Sequence, residues 1–465
     1  MKEAARMSEI IIPGRTITES DSEYLKDESG YKGMAESISF PENREEVAQI
    51  ISNCLEQNIP VTLQGARTGI TGAGVPAKGH VLGMQNLNGI TVSENDGVWI
   101  AKVEAGATVQ QLKAEVRKAT FDQMVFPTIP TEETATLGGV AASGSGGIFS
   151  FGYGKFKDYV EEITVLLGNG EIKIYKKDDQ EMEEILGSEG MKGVILDMTL
   201  RLIPKQPCLW GLLIFFDEDE KACNFTDQID SLEGIKVLEY LDRNTVKVID
   251  RYKQHMSAIS ELPEIPEDAK ALIYVELEGE SEDELEEMSM TVIEQCEENG
   301  GDSDLIWAMS GEAETEALRT YRHCASECVN MVNAENAKNV PGITKISADI
   351  TWKNKSRCEI LDAYRKDLEE SGLEYCIFGH IGTFNPYVNI MASTLEEYAK
   401  GRELLLSWEK EAYEAGGSLF KEHGVGKLKK NDFDTIYSQE EKVQISAELD
   451  KWSENRFFNP DNKMN

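Results

Sequence analysis

Basic residues are scarce in this chain. Its 465 residues hold 47 Lys and Arg against 84 Asp and Glu, which gives a formal net charge of −37. Nucleic acids bind to a basic stripe that faces their phosphates, and an anionic membrane surface attracts the same charge. The composition therefore excludes both partner classes, and so much acid is typical of a soluble, self-repelling surface.

Long apolar runs and paired cysteines are also lacking. The run Ile10–Ile12 is too short for the core of a signal peptide, and no stretch approaches the roughly 18–20 apolar residues that cross a bilayer. The eight cysteines form no CxxC pair and no iron–sulfur pattern. HCASEC at 323–328 suits part of a metal site or, equally simply, buried thiols. We expect a reduced, cytoplasmic protein without a membrane span.

Hydrophobic periodicity predicts both helices and strands. Residues 40–60 and 107–119 show helical spacing, and 81–104 and 160–175 have the pattern of strand pairs joined at glycine-containing turns. From residue 208 the chain is poorer in glycine, and apolar strands alternate with acidic helices, which indicates an α/β or α+β domain.

The length and these composition changes predict four segments. They are an N-terminal segment, a first domain, a second domain and a C-terminal segment with its own glycine cluster, at 1–39, 40–207, 208–410 and 411–465.

Two glycine clusters need an explanation. Four of the ten residues in 65–74 and seven of the seventeen in 138–154 are Gly, although glycine is costly to order. They are either tight turns or backbone packed against a ligand, with exposed N–H groups that form an anion-binding nest. Arg67, Thr68 and Thr71 suit a phosphate or pyrophosphate.

Neither cluster is a common nucleotide-binding loop. No Gly-Lys-Ser/Thr follows, so a Walker A loop is excluded. The segment Gly144–Gly147 lacks the third glycine of a Rossmann fingerprint and precedes a predicted hairpin, which argues against an NAD-binding domain of that kind.

Two histidines stand in unusual glycine-containing motifs near apolar residues. His380 lies in GHIGTFNPYVN and His423 in KEHGVG. An imidazole is suited to act as a base at neutral pH. We therefore single out both as candidate functional residues.

The order of the motifs is more specific than any one of them. After the first predicted helix and strand come four segments in sequence: QGARTGITGAG at 64–74, PTIPTEETATLGGVAASGSGG at 127–147, YGKFKDYVEEITVLLGNGEI at 153–172 and SEGMKGVILDMTLRLIP at 188–204. This order resembles the FAD-binding domain of the vanillyl-alcohol oxidase superfamily, and within it the FAD-linked D-2-hydroxyacid dehydrogenases. The resemblance implies an α+β fold, in which a two-subdomain PCMH-type FAD-binding domain precedes an α+β substrate (cap) domain with an antiparallel sheet.

The resemblance also implies the cofactor contacts. The first loop would wrap the FAD pyrophosphate, the second segment would follow the ribityl chain and flavin, and the closing lysine would lie near the flavin. Because 65–72 holds no His or Cys, we expect non-covalent FAD. The implied cofactor-binding residues are Gly65, Ala66, Arg67, Thr68, Gly69, Thr71, Gly72, Pro130, Thr131, Thr136, Gly138, Gly139, Ala142, Ser143, Gly146, Gly147, Val194, Ile195 and Lys463.

Four catalytic residues are carried over in the same way. The EHG motif of the resembled enzymes makes His423 the base, and LRTYRHCASE points to Arg322, with Arg319 as its neighbour, for the substrate carboxylate. Lys345 and Asn389 match residues near the substrate.

The chain departs from the family at the metal site. The usual pattern GHxGDGNxHxN, with the Glu of EHG, supplies two His and one Glu to a divalent metal. Here the corresponding residues are His380, Tyr387 and Glu422. Three outcomes stay open: Tyr387 binds Zn, Fe or Mn as a phenolate, the substrate completes the metal site, or no metal binds.

The sequence thus predicts an FAD-dependent dehydrogenase. It would oxidise a D-2-hydroxy acid to the 2-oxo acid by hydride transfer to flavin N5 and pass the electrons to a partner such as electron-transfer flavoprotein or another redox subunit. Phe384 and Tyr387 suggest a substrate larger than lactate, or an aromatic one. Two alternatives are an electron-transfer subunit of a multi-protein complex, with altered substrate or no metal, and a hydrolase that uses a metal at His380, Glu422 and His423.

Overall fold

A computed structural model describes residues 14–453 and 456–463. Residues 1–13 of the predicted N-terminal segment, with Ile10–Ile12, lie outside this range. The α+β class is confirmed: two small sheets with their helices precede a larger antiparallel sheet.

The first sheet has the strand order β1-β2-β4-β3. β1 is antiparallel to β2, whereas β4 runs parallel to both β2 and β3. Because β1 and β2 come from before residue 40, that segment belongs to the first domain, and the predicted boundary at 39/40 is wrong. The elements are β1 (Arg15–Thr16), β2 (Ser37–Ser39), α1 (Arg44–Glu56), β3 (Val61–Gln64) and β4 (His80–Gly83).

The second sheet is antiparallel, with the order β5-β6-β10-β8-β9. The predicted strand pairs are confirmed, and the hydroxyl of Thr108 accepts the amide of Gln111 at the start of α2. A short separate ribbon pairs β7 with β11, which directly follows β10. The elements are β5 (Ile90–Asn95), β6 (Val98–Glu104), α2 (Val109–Ala119), β7 (Met124–Val125), α3 (Leu137–Ser143), α4 (Ser150–Tyr153), β8 (Val160–Leu166), β9 (Ile172–Lys176), α5 (Gln180–Ile185), β10 (Val194–Arg201) and β11 (Ile203–Pro204).

A seven-stranded antiparallel sheet forms the second domain, with the order β15-β12-β14-β13-β18-β19-β16. One face packs on α6, α8, α10 and α11, and the other on α7 and α9. The elements are β12 (Cys208–Phe216), α6 (Asp219–Ile229), β13 (Ile235–Asp242), α7 (Arg243–Tyr252), β14 (Ala271–Gly279), α8 (Glu282–Glu298), β15 (Trp307–Ser310), α9 (Glu312–Asn339), β16 (Ile346–Ala348), β17 (Ile350–Thr351), α10 (Arg357–Ser371), β18 (Tyr375–His380), β19 (Asn385–Ile390) and α11 (Leu395–Glu414).

The C-terminal segment returns to the first sheet. It contains β20 (Ser418–Leu419), α12 (Lys430–Ile436) and α13 (Gln439–Asp450). The amide of Val61 on β3 donates to the carbonyl of Phe457, and the amide of Asn459 donates back to Val61. The segment therefore pairs with the first sheet, and the predicted boundary at 410/411 falls inside α11.

The length and apolar character of each helix show whether it could cross a membrane. Over residues 14–453 and 456–463, none of the helices combines the length and the apolar character that a bilayer crossing requires.

Candidate active site

A cavity of about 900 Å³ lies between the two glycine segments, α9 and the end of the C-terminal β20 region. Both glycine segments and both singled-out histidines contribute to its wall. A second cavity, of about 1100 Å³, opens between the β8–β9 hairpin and the residues around 450–461, and its wall holds neither histidine nor glycine loop. The chemistry is therefore concentrated in the first cavity.

The loop after β3 presents its backbone to this cavity. The amides of residues 65–71 donate no hydrogen bond to any described residue, whereas the next one, Gly72, donates to Asp27 at 2.9 Å. Arg67 has a φ of +65°, in the left-handed region. Free amides around such a residue form an anion nest. Arg67 itself stacks on Tyr24 and pairs with Glu23 at 3.1 Å.

The second glycine segment lines the opposite wall. α3 ends at Gly144, which has a φ of +69°. A Cβ on Gly147 would lie 2.0 Å from the carbonyl oxygen of Ile129, and one on Gly65 would lie 2.0 Å from Oγ1 of Thr136. These glycines let neighbouring chain segments approach each other closely, and the cavity is the channel between the two glycine segments. The unbonded amides of residues 65–71 suit the pyrophosphate of a dinucleotide such as FAD.

The turn that carries the two EHG side chains is fixed by a buried carboxylate. Oδ2 of Asp349, between β16 and β17, accepts the amides of Glu422 and His423 at 2.8 Å each. Its Oδ1 accepts from Asn385 at 3.2 Å. The amides of Val425 and Gly426 donate to the buried carboxylate of Glu189. Two buried acids thus hold four backbone amides of this turn.

His423 is a neutral histidine in this environment. Burial lowers its pKa to about 4, although the neighbouring Asp349 opposes that shift. Nδ1 is buried without a hydrogen-bond partner, 3.8 Å from Oδ2 of Asp349. The ring of Tyr387 packs 4.7 Å away. The inner nitrogen faces Asp349, which leaves Nε2 as the nitrogen that meets the cavity.

A chain of buried charges runs beside His423. The phenol of Tyr387 donates to Oε2 of Glu422 at 2.6 Å, and Nε2 of His380 lies 3.5 Å from the same oxygen. Nδ1 of His380 lies 2.6 Å from Glu239, whose other oxygen accepts from Nε of Arg322 at 2.8 Å. Charge and polarity therefore alternate along five side chains.

The pKa values in this chain follow from the pairing. Burial opposes the charge on His380, but Glu239 and Glu422 raise its pKa to about 10. Burial works against the Glu422 carboxylate too, yet His380 lowers the pKa of Glu422 to about 2. Burial raises the pKa of Tyr387 well above its usual range. At neutral pH this row of side chains therefore consists of the His380 imidazolium between the carboxylates of Glu239 and Glu422, with the neutral phenol of Tyr387 beside them.

Two cationic side chains reach the same cavity. Arg322, on α9, makes no hydrogen bond to a described residue through its terminal amino groups, since only Nε is bound to Glu239. Lys345 donates to Asn330 at 2.7 Å, and burial lowers its pKa to about 8. Arg319 instead forms two bonds to Glu276 and does not line the cavity. Arg322 and Lys345 therefore offer positive charge to an anionic ligand at this part of the wall.

Most of the residues that the sequence predicts for the site line this one cavity. The cofactor set there is Gly65, Ala66, Arg67, Thr68, Gly69, Pro130, Thr131, Thr136, Gly139, Ala142, Ser143, Gly146 and Gly147. The catalytic and metal sets there are His423, Arg322, Asn389, Lys345, His380, Glu422 and Tyr387.

Six predicted cofactor residues lie outside the cavity wall: Thr71, Gly72, Gly138, Val194, Ile195 and Lys463. Val194 and Ile195 belong to β10, and Gly138 packs on Ala105. Thr71 is buried and donates to the carbonyl of His423 at 3.0 Å. Phe384, expected to add bulk to the substrate region, instead packs under the Arg357 guanidinium at 4.2 Å and does not line the cavity.

The sequence did not identify the acids that hold the site together: Asp27, Glu189, Glu239 and Asp349. Glu189 falls within the SEGMKG segment but was given no role there, and the other three acids belong to none of the quoted motifs. α9, expected to be a solvated acidic face, has one buried side on which Arg322 is 3% exposed.

The donor set does not fit a divalent metal. His380 and Glu422 are two possible ligands. Tyr387, in the place of the third, is a neutral phenol that donates its hydrogen bond to Glu422. Within 14–453 and 456–463, no group of three His, Cys, Asp or Glu is arranged to hold a metal ion. Cys324 and Cys328, in HCASEC, are buried free thiols.

Comparison with family models covers most of the chain. Residues 35–175 match the model described as FAD binding domain. Residues 211–465 match the model described as FAD linked oxidases, C-terminal domain.

Curated relatives match over nearly the whole length. The chain is 27% identical over 445 residues to a D-lactate dehydrogenase of Anaerostipes hadrus, covering 90% of this chain and 87% of that protein. It is 27% identical over 413 residues to glycolate oxidase subunit GlcD of Bacillus subtilis (strain 168), with 86% and 82% covered. Rat mitochondrial D-2-hydroxyglutarate dehydrogenase is 24% identical over 450 residues, with 91% and 77% covered.

A solved structure shares the fold. A structure of alkyldihydroxyacetonephosphate synthase superposes with a TM-score of 0.65 over 92% of this chain and 77% of the other, at 16% sequence identity.

Proposed function

The chain belongs to the family of FAD-linked oxidases, and from that premise we propose that it is an FAD-dependent dehydrogenase of a D-2-hydroxy acid. The observation that carries the proposal is the neutral His423, which meets the same cavity as the unbonded amides of residues 65–71. The relatives named above as D-lactate and D-2-hydroxyglutarate dehydrogenases support the substrate class and its configuration.

The residues present fit FAD. The amide nest at 65–71 would hold the pyrophosphate, and the channel between Gly65 and Gly147 would take the rest of the cofactor. No His or Cys stands in 65–72, so the cofactor is held without a covalent bond there. When bound, FAD supplies the acceptor for the hydride that leaves the substrate Cα.

The protein groups then have separate roles. The terminal amino groups of Arg322 bind the substrate carboxylate, with Lys345 adding positive charge to that wall. Nε2 of His423 takes the hydroxyl proton, since its low pKa leaves it unprotonated at neutral pH. Asp349 holds the ring in place through two backbone amides. The hydroxyl loses a proton and Cα a hydride, so the product is the 2-oxo acid.

The cavity wall bears on the substrate's size. Tyr387, Phe378 and Met331 line it and give it apolar surface near His423. We therefore propose that the substrate carries an apolar side chain larger than the methyl group of lactate. Turnover of D-lactate as fast as that of any larger 2-hydroxy acid, together with rejection of aromatic 2-hydroxy acids, would contradict this.

The test of the reaction is anaerobic bleaching of the flavin. The FAD-loaded protein is mixed with a panel of D- and L-2-hydroxy acids and the oxidised flavin absorbance is followed. We expect bleaching by one or more D-acids, loss of bleaching in His423→Ala with FAD still bound, and unchanged bleaching in the exposed control His255→Ala. A protein that stays colourless after reconstitution with FAD contradicts the proposal.

The reduced flavin must pass on its electrons. We propose a protein acceptor such as electron-transfer flavoprotein, and the relative that is named as a subunit of glycolate oxidase supports the alternative of a multi-protein complex. Reoxidation is measured with an artificial dye, with electron-transfer flavoprotein and with oxygen. Turnover with dye alone favours a self-contained dehydrogenase, whereas turnover that needs a further subunit favours the complex.

A further inference from the structure

The third ligand position of the family's metal site is filled by a hydrogen-bond donor. Tyr387 is buried, and its hydroxyl points at Oε2 of Glu422 across 2.6 Å. A phenol that donates this hydrogen remains neutral, and a neutral phenol is a poor ligand for a divalent ion. The same bond occupies the carboxylate oxygen that lies nearest His380.

The surroundings of His380 are compatible with either a metal or a proton. Its Nδ1 contacts Glu239 at 2.6 Å, as in carboxylate–histidine–metal arrangements. Its Nε2, the nitrogen that would bind a metal, lies 3.5 Å from Oε2 of Glu422. Tyr387 therefore argues against a metal at this nitrogen. It stands where the third ligand would be, and its hydroxyl binds the same carboxylate oxygen.

We propose that Tyr387 excludes the divalent metal from this site, because its hydroxyl stands in the third ligand position and its hydrogen bond occupies Oε2 of Glu422. The inference rests on the proposed function only for its location in the substrate site. The chemistry at this site is then independent of divalent ions.

The experiment restores the missing ligand. Tyr387→His places an imidazole where the family pattern has one, so that two imidazoles and Glu422 can bind a metal. Changes in outer-shell partners alone shift metal affinity by about 10–100-fold, so a third direct ligand should raise Co²⁺ affinity by at least about 100-fold. Co²⁺ binding is followed by calorimetry and by d–d absorption on the FAD-loaded protein, with neither readout needing activity.

Three comparisons give the outcome. We expect Tyr387→His to bind one Co²⁺ per chain, and wild type and Tyr387→Phe, which removes the hydroxyl without adding a ligand, to bind none. Wild-type bleaching should be unchanged by a chelator or by added Zn²⁺ or Mn²⁺.

One tightly held metal per wild-type chain, or bleaching lost to chelator and restored by metal, overturns the proposal. Failure of Tyr387→His to gain Co²⁺ overturns the assignment to Tyr387. Bleaching by no hydroxy acid would instead contradict the proposed function while leaving the metal measurements readable.

Discussion

Oδ2 of Asp349 accepts the backbone amide of His423 at 2.8 Å, so a carboxylate between two strands of the second domain sets the position of the proposed base. The same oxygen accepts the amide of Glu422. One buried acid thus orients both side chains of the EHG turn without touching the cavity itself.

Asp349→Asn should therefore slow the reaction more than it weakens substrate binding. The amide keeps only one acceptor oxygen, so it can no longer serve both the turn amides and Asn385. A displacement of about 1 Å at a reacting group can cost about 100-fold in rate. We expect a loss of that order in the rate of anaerobic flavin reduction, with KM little changed. Asp178→Asn, at an exposed site, should match wild type, and an unaltered rate in Asp349→Asn would remove its positioning role.

The pH dependence of flavin reduction should show a base with an unusually low pKa. Burial lowers the pKa of His423 to about 4 from an ordinary value of 6.5. The base is thus unprotonated down to well below pH 6, and the rate should fall only as pH drops through about 4. Stopped-flow reduction at saturating substrate measures this acid limb. A limb near pH 6.5 would show that another histidine-like group, or a more exposed His423, does the work.

Glu239→Gln should destabilise the protein and change how its stability depends on alkaline pH. The pKa of His380 is raised to about 10, so its stabilising contribution is full below about 6.5 and is lost as pH rises through about 10. Removal of one partner of a buried ion pair costs about 3–5 kcal/mol. We expect a lower urea midpoint at pH 7 and a flatter decline between pH 8 and 10.

The control for that substitution is Glu294→Gln, an exposed position on α8. Tryptophan fluorescence follows both variants and wild type in the same urea series. A wild-type midpoint that does not decline on the alkaline side, or a Glu239→Gln variant as stable as Glu294→Gln, would contradict the charge pairing described for His380.

Gly147→Ala should reduce FAD content. The added Cβ would lie 2.0 Å from the carbonyl oxygen of Ile129, and backbone atoms cannot yield as a side-chain end can. Overpacking of this kind costs about 1–3 kcal/mol. Gly97→Ala, in the exposed turn between β5 and β6 and outside the cavity wall, is the control, since nothing lies within 4 Å of its added Cβ. The ratio of flavin to protein absorbance after purification measures both, and equal ratios would show that the channel wall tolerates the change.

Local elements were predictable from the sequence because their signals are local. Apolar periodicity and turn glycines predicted helices at 40–60 and 107–119 and a hairpin at 160–175, and the structure has them at 44–56, 109–119 and 160–176. The motif order was enough to predict the α+β fold. The domain boundaries were less predictable, because β1 and β2 join the first sheet by long-range pairing that no local pattern reveals.

The residues of the candidate site also fall into those that the sequence could predict and those that it could not. Residues in motifs, such as His423 and Gly147, could be named from the sequence and line the cavity. Asp349 and Glu239 could not, because each acts on a partner 74 or 141 residues away and is one acid among 84. Phe384 shows the opposite error: it lies within the motif, but its backbone turns its ring toward Arg357.

The hydrogen bonds between Asn459 and β3 have a consequence for how the protein folds. Its side chain accepts the amide of Leu63 and donates to the carbonyl of Glu189, while its own amide donates to Val61. The strand that leads into the glycine loop therefore reaches its full set of hydrogen bonds only when residues almost 400 positions later are in place. Removal of the C-terminal segment would thus disturb the first sheet as well as the EHG turn.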